Sequence, residues 1–240
     1  PTLSKDLERS RTPLAEGKLN CLYRKLRRKQ VRERLFETCV AFLHAETMNE
    51  VERVAAVATG QFLPEQWGVN NREIDFFDIK GDVERLFSLK GVDGKPEFVE
   101  GNLPWMHPGA GAIVKVDGKH AGWCGAIHPS VLKGFDIKKR VYAFGIDLEP
   151  LLSRAVPYVK ETSRFPSVRR DIAVLLPIET GYVDVEKVIK TAAGPYLENT
   201  IVFDVYAGNN LKDGYKSLAI GLIFNNVSST LRDEDVDPAI

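Results

Sequence analysis

Ser163-Arg164-Phe165-Pro166-Ser167-Val168-Arg169-Arg170-Asp171-Ile172-Ala173-Val174 decides how the last third of this chain is read. It opens a strand over Arg170–Leu176, and the elements that follow have a rhythm of their own. Val183–Ala193 reads as a helix stopped by Gly194-Pro195, since glycine ends a helix and proline cannot continue one. Glu198–Tyr206 reads as a second strand, Gly208-Asn209-Asn210 as a turn or loop, and Lys216–Asn225 as a third strand. In that third strand Leu218, Ile220, Leu222 and Phe224 face one way. Asp233–Ile240 starts a helix, with Thr230 or Asp233 as its cap. The order β-α-β-β-α is a split β-α-β, ferredoxin-like unit without its fourth strand. In that topology the last strand lies beside the first, so its absence leaves Arg170–Leu176 as an open edge.

Upstream, Pro157, Lys160, Glu161 and Thr162 form a short polar stretch that marks a boundary near Pro157–Ser163. Before it, Leu14–Arg32 reads as a helix, with Leu19, Leu22, Tyr23 and Leu26 at helical spacing and bases on the other face. Arg34–Phe42 reads as a short strand, and Val51–Thr59, closed by Gly60, as another. Phe76–Phe87 reads as a helix with Asp75 as N-cap and Asp78, Asp82 and Glu84 toward its early turns, where acids suit the helix dipole. Ile113–Trp123 reads as a hairpin, because Asp117-Gly118 supplies the positive φ angles of a two-residue type I′ turn. Cys124–Ile127 continues its second strand. A short helix at Pro129–Lys133 and a strand with alternating faces at Val141–Leu148 complete this part.

Composition bounds the function. With 240 residues, 44% hydrophobic and 28% charged, the chain has room for one large domain or two modest ones. No apolar run approaches the ~20 residues of a membrane span. No secretory signal opens the sequence. The first residue is Pro1, as in a fragment or processed chain. Three cysteines, Cys21, Cys39 and Cys124, are too scattered for a disulfide framework or zinc knuckle, which predicts a reducing, cytosolic home. Lys plus Arg and Asp plus Glu are both 33, which argues against a generic nucleic-acid coat and leaves room for a local RNA-binding face. The charge is uneven. Arg24–Arg34 holds seven bases and one acid, Glu33, whereas Ser163 onward holds eight bases and eleven acids.

The stretch Ser163–Val174, with Phe203-Asp204-Val205-Tyr206, Gly214-Tyr215-Lys216-Ser217-Leu218-Ala219-Ile220 and Thr230-Leu231, resembles the ferredoxin-fold anticodon-binding domain of bacterial phenylalanyl-tRNA synthetase beta subunits. Asp75-Phe76-Phe77-Asp78-Ile79-Lys80-Gly81-Asp82-Val83-Glu84 looks like the same subunit. So do His107-Pro108-Gly109, Gly122-Trp123-Cys124-Gly125 before His128-Pro129, and Lys139–Phe144. The resemblance implies an α+β chain. Residues 1–160 would be a class II synthetase-like antiparallel-sheet module without an active site. Residues 163–240 would be the anticodon-binding domain. It implies a complex that joins phenylalanine to its tRNA (EC 6.1.1.20), with ATP and magnesium used in the alpha subunit and neither cofactor bound by this chain. The implied partners are that alpha subunit and the tRNA anticodon stem-loop, in the cytoplasm and with no membrane. The sequence departs from the family in several places. Arg24-Lys25-Leu26-Arg27-Arg28 stands where an Asn-rich helix end is expected, a glycine expected after Leu35-Phe36-Glu37 is Cys39 or displaced, and Asn209-Asn210 replaces a basic loop. The chain ends about one helix and one strand early. The editing module, the N-terminal tRNA-binding modules and the beta-subunit magnesium site have no match.

The residues offer no catalytic centre and no metal site of their own. His107 and His128 precede prolines and lack a third ligand, so they set turns. A metal-dependent hydrolase on His107, His128 and Asp78 is the weaker rival. Gly109-Ala110-Gly111 lacks the Lys-Ser/Thr of a phosphate loop, and no neighbour activates a cysteine. The candidate RNA contacts are Arg169, Arg170, Tyr206, Lys212 and Lys216. Arginine pairs bidentately with phosphate and stacks on bases, and an exposed aromatic on a sheet stacks on an unpaired base. By alternation only one of Arg169 and Arg170 reaches the RNA side, and the other pairs with an acid such as Asp171 or Asp204 or lies in solvent. Phe203 is read first as core. The Lys25–Arg34 helix face is the fallback RNA site. A stand-alone RNA-binding or protein-interaction module on the same fold is the alternative to a synthetase subunit.

Overall fold

Ten residues of one strand against ten of the next frame the first part of the molecule. In the computed structural model, which describes residues 13–42, 50–89, 96–152, 163–208 and 210–239, β1 (Glu33–Phe42) pairs antiparallel with β2 (Glu50–Thr59), from Glu33 opposite Thr59 to Phe42 opposite Glu50. Two compact units are present, Pro1–Tyr158 and Val159–Ile240. Arg11, Asn209 and the polar stretch at 157–162 lie outside the described residues.

The first unit is a six-stranded antiparallel sheet in the order β1-β2-β6-β5-β4-β3. Its other strands are β3 (Glu97–Glu100), β4 (Met106–Val116), β5 (Lys119–Ile127) and β6 (Val141–Asp147). Both faces are covered. On one side α1 (Pro13–Arg27) and α3 (Pro129–Gly134) bury Leu19, Leu22, Val131 and Leu132 against Val57, Trp123, Val141 and Ala143. On the other, α2 (Phe76–Ser88) buries Ile79, Val83 and Phe87 against Val54, Val114, Cys124, Tyr142, Phe144 and Ile146. The faces of β6 alternate as expected, with Val141 and Ala143 toward the first layer and Tyr142, Phe144 and Ile146 toward the second. Val141–Ile146 is buried throughout, because a central strand between two helical layers has no solvent face. A short helix, α4 (Glu149–Leu152), follows.

The first helix is shorter than its periodicity predicts. It ends at Arg27, and Lys29 takes φ 62°. The Arg28 and Lys29 amides bond to the Lys25 and Leu26 carbonyls at 3.0 Å. The chain must reverse there to enter β1, so Arg28–Arg32 form a turn and Arg34 lies in a strand. The basic run is therefore not one helix face. The Asp117-Gly118 turn has φ 51° and 75°, as its two-residue hairpin requires. Asp75 caps α2, accepting from the Phe77 and Asp78 amides at 2.8 and 3.2 Å, and its own amide donates to Asp78 at 2.9 Å.

The second unit has strands β7 (Val168–Pro177), β8 (Leu197–Tyr206) and β9 (Tyr215–Phe224) in the order β7-β9-β8. The helix α5 (Tyr182–Ala192) packs with them around a core of Leu218, Ile220, Leu222, Phe224, Leu231 and Val236. Among the described residues β7 pairs with β9 only, so it is an edge. The last helix differs from expectation. Its α-helical part is α6 (Asp233–Val236), followed by a 3₁₀ turn at Asp237–Ala239. Pro238 has no amide hydrogen with which to continue the ladder. The cap is Arg232, not Thr230 or Asp233, because Asp235 reaches back to the Arg232 amide at 2.9 Å.

Candidate nucleic-acid interface

Alternation along β7 sorts its side chains. Val168, Ile172, Val174 and Leu176 pack toward the core, while Arg169, Asp171, Ala173 and Leu175 are exposed on the other face. The central strand β9 does the same, with Leu218, Ile220, Leu222 and Phe224 inward and Ser217, Ala219, Gly221 and Ile223 opposite. The middle of the open face is therefore floored by small residues. Gly221 matters most. A Cβ there would stand 3.1 Å from Arg169 Nε, so its absence lets the guanidinium lie across the central strand. That group bonds to Asp171 (Nε–Oδ1 2.7 Å) and sits 5.2 Å from the Phe203 ring centroid.

On β8 the register breaks between Val202, opposite Ile220, and Asp204, opposite Ala219. Phe203 is the extra residue of this bulge and is 51% exposed, which corrects its reading as core. A bulge breaks the period of two, and nothing in Val202-Phe203-Asp204 announces it. Beyond it Asp204 and Tyr206 face the same side as Ala219 and Ser217. Tyr206 is 43% exposed, with its phenol end against Gly208. Lys212 lies beyond β8, its ammonium 5.3 Å from the Tyr215 ring centroid.

The five sequence candidates thus divide. Arg169, Tyr206 and, at the margin, Lys212 belong to the open face. Arg170 and Lys216 do not. Arg170 bonds to Asp233 and to Asp237 (3.2 and 3.3 Å), tying α6 to β7, and those carboxylates hold its pKa above the usual arginine value. Lys216 donates to the Ile178 carbonyl at 2.9 Å. Asp204 and Ser217 join the face without having been singled out as contacts, and Phe203 joins it against its first reading as core. Only the pairing register, which the sequence does not state, puts them beside Tyr206.

Among the described residues the first unit shows no comparable open, small-residue sheet face, since helices cover both sides. His107 Nδ1 accepts from the Gly109 amide and His128 Nδ1 from the Ser130 amide, both at 3.1 Å, so each shapes a turn. Asp78 is bound by Arg72 through two 2.7 Å bonds. Among the described residues no three His, Cys, Asp or Glu side chains are placed to hold a metal. A cavity beside Leu19, Val57 and Trp123 has about 10 Å³, near the minimum for one water. With both sheet faces filled by side chains, these residues do not fit ATP with its magnesium. Burial pushes the Cys124 thiol up to about 12 and raises Cys39 too, with Glu37 adding to the latter, so neither is a ready nucleophile. No helix among the described residues is long and apolar enough to cross a membrane.

Comparison with known proteins accounts for both units as modules of aminoacyl-tRNA synthetases. Residues 2–148 match the phenylalanyl tRNA synthetase beta chain CLM domain, and residues 163–240 match the ferredoxin-fold anticodon binding domain. The chain belongs to the phenylalanyl-tRNA synthetase beta chain family. It is 40% identical over 242 residues to the phenylalanine–tRNA ligase beta subunit of Xanthomonas euvesicatoria, covering 99% of this chain and 30% of that protein. The beta subunit of Thiobacillus denitrificans is 38% identical over 239 residues, with the same coverage. The chain thus spans about 30% of the length of these curated relatives. A solved pyrrolysyl tRNA synthetase of Desulfitobacterium hafniense superposes with a TM-score of 0.41 at 18% identity, over 56% of this chain and 46% of that one, too loosely to carry an argument.

Proposed function

We propose that this chain is the portion of a phenylalanine–tRNA ligase beta subunit that binds the anticodon loop of the phenylalanine tRNA and supports a catalytic alpha subunit. Residues 163–240 act as the anticodon-binding domain, and residues 1–160 as the non-catalytic module. ATP and magnesium are used in the alpha subunit, in the cytoplasm. The observation that carries this reading is the open face of β7-β9-β8, where Phe203 and Tyr206 of β8 border a floor of Ser217, Ala219 and Gly221. A flat, small-residue floor beside exposed rings admits unpaired bases, which stack on aromatic side chains. Asp204 and Ser217 supply an acceptor and a hydroxyl beside Tyr206 for base edges.

The test is titration of the anticodon stem-loop across salt concentrations. Tyr206→Ala should cost about 1–3 kcal/mol with little change in salt slope. Arg169→Ala should lower that slope by at most about one, because Asp171 already neutralises it. Arg170→Ala should leave binding unchanged. Parental binding by both Tyr206→Ala and Arg169→Ala at every salt concentration would remove this face as the RNA site.

A further inference from the structure

The segments before β1 and before β6 leave the sheet at the same end. Both strands are antiparallel to β2, and its last residue, Thr59, is opposite Glu33 on one side and Val141 on the other. The Thr59 hydroxyl donates to the Arg140 carbonyl at 2.6 Å, and Lys139 Nζ donates to the Val31 carbonyl at 3.3 Å. Two basic runs more than a hundred residues apart, Arg24–Lys29 and Lys138–Arg140, are thereby joined into one surface. Several of these cations have internal work. Lys25 pairs with Glu33 at 3.0 Å, Arg27 bonds to the Tyr23 hydroxyl, and Arg32 bonds to the Phe62 carbonyl. Arg24, Arg28, Lys29, Lys138 and Arg140 are exposed and make no ion pair among the described residues. The acids of these segments are Glu33, which Lys25 already neutralises, and Asp136.

We infer that this end of the sheet is a second RNA-binding surface, one that holds the phosphate backbone of a helical RNA and reads no bases. The inference rests on the reading that the chain works on tRNA. Three of the five free cations are arginines, whose planar fork suits phosphate oxygens. Tyr23, the aromatic beside Arg24, is half-buried with Arg27 over its ring, so it is not open to a base. Val31, 60% exposed, is the one large apolar side chain at this turn, too little to anchor a bilayer. The second unit also leaves a need unmet. Its open face carries Asp171 and Asp204 beside Arg169, and residues from Ser163 onward hold more acids than bases. Phosphate neutralisation supplies much of the affinity of nucleic-acid binding proteins, and this end of the first unit's sheet gathers five exposed cations that make no ion pair among the described residues.

The experiment uses the 240-residue chain and a variant carrying Arg24→Gln, Arg28→Gln, Lys138→Gln and Arg140→Gln. Lys139, Arg27 and Arg32 stay, since they bond within the fold. The probe is an RNA duplex of about 12 base pairs with no unpaired bases, long enough to span several phosphates. The parent should bind it with a steep salt dependence. The variant should lose about three to four units of slope, which between 50 and 200 mM salt amounts to roughly a hundredfold. Tyr206→Ala should bind the duplex like the parent. Equal binding of the duplex by parent and variant at every salt concentration overturns the inference. So does a variant that loses phosphatidylserine vesicles but keeps the duplex, since the surface would then be for a membrane. Tyr206-dependent binding of the anticodon stem-loop is read separately, so either reading can fail alone.

Discussion

At Gly60 the chain leaves β2 with φ 87°, and a Cβ there would overlap the Val31 carbonyl oxygen. Only glycine adopts this conformation at little cost, and the close approach packs the 60–74 loop against the turn before β1. Gly60→Ala combines left-handed strain with a backbone clash and should destabilise the first unit by about 3 kcal/mol or more, read from urea unfolding. Cys124 offers a test at the alkaline end. Burial in the α2-side core pushes its thiol from 9.0 to about 12. The thiol of the unfolded chain ionises first, so above pH 9 the folded state holds more protons than the unfolded one. Stability from this group is complete below that value and falls through the 9-to-12 window, by about 1.4 kcal/mol per pH unit at most. Cys124→Ala should unfold with a visibly shallower loss over that window than the parent. Identical alkaline profiles would mean that Cys124 is not buried as described. The glycine is legible in sequence as a strand stop. The approach of Val31 is not, because the two are neighbours only after β1 and β2 pair.

For a helix, the first turn decides the outcome. Asp75 and Asp78 close a reciprocal cap on α2, and Arg72 clamps Asp78 from the preceding loop while stacking 4.3 Å from the Phe62 ring centroid. Asp75→Ala should cost about 1 kcal/mol, the usual value of an N-cap, measured by thermal or urea unfolding. The hydrogen bond from Arg72 is the main reason the Asp78 carboxyl sits below its ordinary value of 3.8. Its folded pKa is depressed, so its contribution is present above that ordinary value and is lost as pH falls through the lower folded one. An Asp78→Asn chain should lack this part of the acid-side decline. The cap was legible because Asp75-x-x-Asp78 before an apolar run is itself a local signal. Arg72 was not, since its partner is chosen by how the loop folds back. The same contrast separates the two halves of the RNA face. Tyr206 could be named from its strand, but Phe203 needed the bulge at Val202–Asp204. Arg170 was drawn away by Asp233 and Asp237 on an element some sixty residues later.

Local patterns located most of the described strands and helices, because each period of 2 or 3.6 is written into consecutive residues. They did not locate the four-residue β3 and α4, which are too short to show a period. The assembly of the elements was harder to read, and the basic end of the first sheet is the clearest case. Arg24–Lys29 looked like one face of a long helix, whereas a positive φ at Lys29 and the pairing of three strands turn it toward Lys138–Arg140. The two units have separate cores, and all three tryptophans, Trp67, Trp105 and Trp123, belong to the first. Tryptophan emission therefore reports on the first unit, while far-ultraviolet circular dichroism reports on both. Ile220 is fully buried in the core of the second unit. Ile220→Ala removes core volume there and should cost about 2–5 kcal/mol. In urea this variant should show an early loss of part of the dichroism signal, with the midpoint of the tryptophan transition where the parent has it. If the tryptophan midpoint moves down together with the dichroism, the two cores unfold as one cooperative body. Anticodon-loop binding and backbone binding would then have to be analysed as properties of a single unit.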